Sequence, residues 1–286
     1  MATKTTQINT MAKVKEFFVT LIIYAQLAFM LALVLIPVIF ILSSAFSNVT
    51  HLRQAGLFPD NPSLGAFRRL FTETSFLLWY RNTLFIAVMT TTLTVIFTST
   101  MGYVFGRLRF KGKKVTLISM MVMQMFPGFM GMIALYVLFL EIGLLDNHWA
   151  LILIYSAGSI PGTTWLIKGY LSGIPMELDE SAMLDGANKF QIFTQIVFPL
   201  MRPIVAFVAY GAFMGPWMDF MLPRLLLRST SNQTLGVGLY DLISGNAQDF
   251  TMFAAGATLV AVPMVIAFYV FQKHIIEGIT AGANKG

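Results

Sequence analysis

The chain has 286 residues, of which 57% are hydrophobic and only 11% charged, with a formal net charge of +6. Soluble domains carry about 25% charged residues, so the composition excludes a charged exterior in water and points to lipid as the solvent. Cysteine is absent, which removes disulfides, thiolate nucleophiles and cysteine metal sites. The basic residues fall in short segments between apolar stretches, a distribution of membrane topology and not of nucleic-acid binding.

Lys13 and Lys15 precede an apolar stretch, as in a signal peptide, but residues 17–42 form a 26-residue run without a charge. The apolar core of a signal peptide is roughly 7–15 residues long, so the run is read as a retained first helix. Five further segments reach the roughly 20 apolar residues that cross a bilayer: 82–105, 115–140, 148–167, 203–222 and 251–272. The expected fold class is therefore all-α, a polytopic membrane protein with six transmembrane helices.

Lys and Arg accumulate on the cytoplasmic side of membranes. The N-terminal tail, the 106–114 and 168–202 loops and the C-terminal tail hold thirteen of them, against six in the alternate loops. Both termini are thus expected to be cytoplasmic. Of the two long extracytoplasmic segments, 43–81 is rich in Phe and Trp, which predicts packed structure. Gly158 with Gly162, and Gly211 with Gly215, each share a helix face on which another backbone has room to approach. Pro127, Pro161, Pro216 and Pro263 are expected to interrupt or kink their helices, either around a lined cavity or as ordinary kinked packing.

Residues 174–203, IPMELDESAMLDGANKFQIFTQIVFPLMRP, carry the most specific signal. Pro175 suits the start of a helix, Glu177, Asp179 and Glu180 favour its first turns, and Gly186 suits its end. Asn188 with Gln191 reads as the cap of a second helix running to Phe198 before Pro199. A helix, a glycine turn and another helix are expected in the cytoplasm between two spans.

Glu180, Ser181 and Ala182, then Gly186, then Ile196 to Pro199 resemble the EAA motif of binding-protein-dependent ABC importer permeases. Ser181 stands there for Ala and Phe198 for Leu. The likeness extends to the carbohydrate branch and its MalG-type maltose and maltodextrin permeases through the 103–110 segment YVFGRLRF, Gln124 to Pro127, Ala134 to Tyr136, the 165–170 segment WLIKGY and the tail 278–286. It implies a type I importer permease fold. Residues 1–81 would form the N-terminal tail, first helix and first extracytoplasmic loop, and residues 82–286 a permease core with five helices, the coupling segment 174–203 and the C-terminal tail.

The resemblance further implies that Glu180, Ser181, Ala182, Asp185 and Gly186 couple to an ATPase and that Lys285 and Gly286 reach it through the tail. Asn246 and Gln248 would touch a solute-binding protein. The implied partners are a second permease in a heterodimer, two ATP-binding subunits, an extracytoplasmic solute-binding protein and a sugar, in a lipid membrane and without nucleic acid. The expected cofactor content is none on this chain, with ATP and Mg in the partner ATPase, and the chain is not expected to be an enzyme. Residues 106–113, GRLRFKGK, have the wrong glycine spacing for a phosphate-binding loop, and Lys114 stands where a hydroxyl is required. His51, His148 and His274 show no metal-ligand spacing, and no G-x-S-x-G elbow is present. Asp219, beside Trp217 and before Pro223 and Arg224, suits a wetted or Arg-paired role at the outer interface, or contact with sugar hydroxyls or a helix end. Half of an ion-coupled secondary transporter is the alternative, which would need ionisable groups near the midplane. An intramembrane protease would need a paired nucleophile and base.

Overall fold

The computed structural model describes residues 2–47, 57–59, 61–244 and 249–283, with side chains from 16 to 273 among these. The described residues are helical and joined by short turns. Among the described residues, four helices are long and apolar enough to cross a membrane, at 16–45, 76–107, 148–171 and 250–273, and the count reaches up to six when each of two bent pairs, 113–123 with 128–141 and 189–200 with 202–218, is taken as one span.

Helix α1 (Ala2–Ala45) carries no charge over residues 17–42 and is only 6% buried over its spanning window. It packs chiefly along the last helix and gives the rest of its surface to lipid. A nine-residue amphipathic helix, α2 (Gly65–Glu73), follows and buries Ala66 and Leu70, which gives the aromatic first loop its packed structure. Phe46 stacks on Phe67 at 5.3 Å and Phe71 meets Phe76 edge-on at 5.5 Å. Helix α3 (Phe76–Arg107) is a single rod of 32 residues, about 48 Å long at 1.5 Å per residue. It begins six residues before the apolar window does, because Phe76 and Trp79 are needed in the packed layer at that end.

The third span is not one helix. Helix α4 (Lys113–Met123) stops short of Pro127, a 3-10 turn covers Gly128–Gly131, and α5 (Met132–Glu141) leaves at 90° to α4. Pro127 cannot continue a helix and biases Phe126 away from helical geometry. Helix α6 (His148–Leu171) is capped by Asn147, whose Oδ1 accepts from the Trp149 amide at 2.9 Å, and it continues through Pro161 without a break. Helix α7 (Glu177–Leu184) and a rod made of α8 (Lys189–Gln191), a π-helical stretch Ile192–Val197 and α9 (Phe198–Leu200) come next. The chain then turns by 78° at the buried Met201 into α10 (Arg202–Met218).

Helix α10 ends four residues earlier than expected, because Asp219 caps a new short helix, α11 (Met221–Leu226), by accepting from the amides of Met221 and Leu222. Its other oxygen accepts from the Tyr155 hydroxyl at 2.8 Å. The Arg pairing considered for Asp219 is therefore not made, and Arg224 instead meets Asp241 at 3.2 Å. Helices α12 (Leu235–Ser244) and α13 (Phe250–Ala283) complete the chain, and α13 runs through Pro263. Pro161, Pro216 and Pro263 thus lie inside continuous helices, whereas Pro127 marks a real break.

Helices α3, α6, α10 and α13 form the centre of the bundle. Around them sit three apolar clusters. One closes the end where α2, α12 and the start of α3 meet, and α12 there lies directly on α3. A Cβ added to Gly238 would fall 2.2 Å from the Trp79 ring. A second sits at the opposite, basic end, beneath α7 and the rod that follows it. The third joins α3, α5, α6 and α11.

Candidate functional site: the helix hairpin at the basic end

Each turn of the hairpin is dictated locally. Glu177, Asp179 and Glu180 complement the positive end of α7. Gly186 has φ of +88°, its amide bonds the Met183 carbonyl and the Ala187 amide bonds the Ala182 carbonyl at 2.9 Å. This is the left-handed closure that glycine makes without steric cost. Asn188 and Gln191 then cap each other's amides reciprocally, at 2.8 and 3.0 Å. The second helix passes the expected stop at Phe198 and reaches Leu200. The wider π turn before Pro199 accommodates a ring that an α turn would crowd.

The hairpin lies across the end of the bundle. Its inner face is buried: Asp179, Ala182, Ile192, Val197 and Met201 meet Tyr103 of α3 and Ile167 and Leu171 of α6. The Tyr103 hydroxyl donates to the Lys189 carbonyl at 3.4 Å and the Tyr170 hydroxyl to the Leu200 carbonyl at 3.3 Å. The outer face exposes Glu180, Ser181, Asp185 and Gly186, together with Leu184 at 90% and Phe190 at 73% of their surface. Of the five residues singled out in the sequence, four thus face outward, and Ala182 faces the bundle.

A buried ion pair not singled out in the sequence sits beneath α7. Arg107, the last residue of α3, places Nε 3.1 Å from Asp179 Oδ2, with the two side chains 6% and 2% exposed. Its Nη1 donates to the Ile174 carbonyl at 3.1 Å and its Nη2 to the Pro175 carbonyl at 3.4 Å. Neither Asp179 Oδ1 nor Arg107 Nε has a hydrogen-bond partner among the described residues, so the two side chains meet as an ion pair while Arg107 hydrogen-bonds the two carbonyls. Burial pushes the Asp179 carboxyl above the usual carboxylate range, and Glu180 adds to that push while Arg107 opposes it. The sequence did carry a signal. Asp179 and Ala182 are three apart and so share one face of α7, which puts the acid on the side that the small residue turns to the bundle.

The glycine pairs do not receive another backbone from the described residues. A Cβ on Gly158, Gly211 or Gly215 would meet nothing within 4 Å, and one on Gly162 would meet the Gln124 amide oxygen at 3.0 Å. Gly158, Gly162 and Gly211 line a cavity of about 300 Å³ between α6 and α10, whose polar groups are Thr94, Gln124, Ser159 and Thr163. Gln124 stands at the α4 break, so the interrupted span borders the cavity, as irregular backbone at membrane depth requires.

At the other end, Asp146 between α5 and α6 accepts from the amides of Arg228 and Ser229 at 2.9 and 3.0 Å. Partial burial pushes its pKa up, but these bonds and that of Asn232 outweigh burial and hold the carboxyl below its ordinary value. Arg69 of α2 meets Asp249 at 2.7 Å and also bonds Thr251, which ties α2 to the start of α13. Asn246, Gln248, Lys285 and Gly286 lie outside the described residues.

A helical bundle with broken spans, a polar cavity between them and a capped hairpin across one end defines a membrane transport component. Residues 98–280 match the model of the family of binding-protein-dependent transport system inner membrane components, and the chain belongs to that family. It is 41% identical over 264 residues to the maltodextrin transport system permease protein MdxG of Bacillus subtilis, covering 92% of this chain and 95% of the relative. It is 38% identical over 278 residues to the galactooligosaccharides transport system permease protein GanQ of the same organism, covering 96% and 98%. The maltose/maltodextrin transport system permease protein MalG of Vibrio vulnificus is 35% identical over 275 residues, covering 90% and 92%. The fold is shared with the crystal structure of a bacterial ABC transporter involved in the import of the acidic polysaccharide alginate. That likeness has a TM-score of 0.78 at 23% identity and covers 89% of this chain and 95% of the other.

Proposed function

We propose that the chain is a membrane-spanning permease subunit of an ATP-driven oligosaccharide importer, with substrates of the maltodextrin or galactooligosaccharide class named for its relatives. It would work with a second permease, two ATP-binding subunits that hold ATP and Mg, and an extracytoplasmic solute-binding protein. The observation that carries this reading is the hairpin of a binding-protein-dependent family member, fastened to three spans beneath and presenting Leu184, Phe190, Glu180, Ser181 and Asp185 above. An apolar knob ringed by acids suits a cleft that has apolar walls and a basic rim. Closure of that cleft on ATP would move α7, and through the buried inner face it would move α3, α6 and α10.

Both termini and the hairpin would lie in the cytoplasm, a reading that the excess of Lys and Arg in those segments supports. Lys285 and Gly286 would extend the ATPase contact, and Asn246 and Gln248 would face the binding protein. The cavity beside Gln124 would be this subunit's stretch of the sugar path, with hydroxyl and amide groups to meet sugar hydroxyls and glycines to leave room. An ion-coupled mechanism would instead recruit Asp219, but that carboxylate is already engaged by Tyr155 and by the start of α11.

The test is purification of the chain with its expected ATPase subunits and partner permease, followed by reconstitution with the binding protein. ATP-dependent uptake of labelled maltodextrin or galactooligosaccharide is expected. Uptake by the chain alone, without nucleotide, would sink the assignment.

A further inference from the structure

We infer that Arg107 and Asp179 are positioning residues that lock the coupling helix α7 to the rod α3, so that the two move as one body when the ATPase acts. This rests on the reading that α7 docks on an ATPase. Apart from this pair, little fixes α7 itself to the spans. Ala182 is its one other buried side chain, and a single methyl group resists pressing but not sliding or pulling. The ion pair supplies what the methyl lacks. Arg107 holds α7 at Asp179 and also holds the lead-in to it at the Ile174 and Pro175 carbonyls, so displacement along or away from the bundle breaks several contacts together. A guanidinium is suited to this because its donors are fixed in one plane.

The location of the pair gives it its consequence. Arg107 ends a 32-residue helix whose other end carries Trp79, on which α12 is seated. A pull on α7 is therefore delivered to α3 and reaches the opposite end of the bundle through one unbroken element. The second helix of the hairpin is held separately, by Tyr103 and Tyr170, so it stays anchored when the pair is cut.

The chain has no cysteine, so spin labels can be placed at Leu178→Cys on α7, exposed and outside the docking knob, and Thr100→Cys on the exposed side of α3, in the complete complex. In the unsubstituted background the distance between the labels is expected to be the same without nucleotide and with bound ATP. A distance that changes between these states overturns the inference, whatever the variants do.

In Asp179→Asn the distance is expected to become nucleotide-dependent. ATP hydrolysis without binding protein should continue, while binding-protein-stimulated hydrolysis and uptake fall by about tenfold. Asp179→Glu keeps the charge and is expected to recover most of both. Uptake within about twofold of the parent in Asp179→Asn, or Asp179→Glu no better than Asp179→Asn, overturns the inference. Failure of the unsubstituted chain to bind any ATPase would refute the docking reading instead, and co-purification reports that separately.

Discussion

Gly186 holds the αL position that closes α7, and a Cβ there would meet nothing within 4 Å. The cost of a side chain is therefore backbone strain alone, about 1–2 kcal/mol for an L-residue and more for a β-branched one. Gly186→Val is expected to insert into the membrane normally and to lose most ATPase co-purification and uptake, with Gly186→Asn close to the parent because Asn tolerates αL. Equal co-purification of the Val variant would show that the closure is dispensable. Asp146 acts on stability at the other end. It receives two backbone amides with its pKa held low, so Asp146→Ala leaves those donors unpaired and is expected to cost about 2 kcal/mol. A thermal unfolding series in detergent should place Asp146→Asn, which keeps an acceptor, between the parent and the Ala variant.

Helix elements differ in how far their residues announce them. The hairpin was legible because its signals are local: Pro175, the acidic first turn, Gly186 and the Asn188–Gln191 box each act within four residues. Asn188→Ala should remove about 1 kcal/mol of capping, and hydrogen exchange should then quicken at the amides of residues 189–192 while α10 is unchanged. Pro127 announced an interruption or kink of its span, but not the size of the bend. Residues 115–140 average to one apolar window, and only the geometry at Gln124 to Pro127 divides them into segments at 90°. The π turn before Pro199 answers local crowding by the ring, and the end of α10 is set by the Asp219 cap of α11 and by the long-range partner Tyr155, which spacing along the chain does not reveal. Arg107 was read as one more charge of a basic loop. Its role needs the fold that brings α3 beneath α7, 72 residues later in sequence.

In the whole molecule, the segments whose likeness to importer permeases was noted first converge. Tyr103 and Arg107 come from one, Tyr170 from another, and all three hold the hairpin. Gln124 comes from a third and borders the cavity. If that cavity carries sugar, filling it should block transport and spare the hairpin at the bundle's end. Gly211→Leu has room at its Cβ, so folding and ATPase association are expected to persist while initial uptake drops by about tenfold, with longer oligosaccharides more affected than disaccharides. Unchanged uptake would place the sugar path elsewhere.

Orientation is set at the same scale, because no single loop decides it. The charge bias predicts Leu184 in the cytoplasm and Ser231, in the turn before α12, outside. The absence of native cysteine makes the test direct. In cells that express the chain without its ATPase subunits, a single cysteine at exposed Leu184 should react with a membrane-impermeant maleimide only after the cells are opened, whereas one at exposed Ser231 should react on intact cells. The reverse pattern would put the hairpin on the side without ATP, where no nucleotide-driven neighbour exists to move it. Reaction of both on intact cells would mean that the chain inserts in two orientations and that the loop charges are too weak to choose between them.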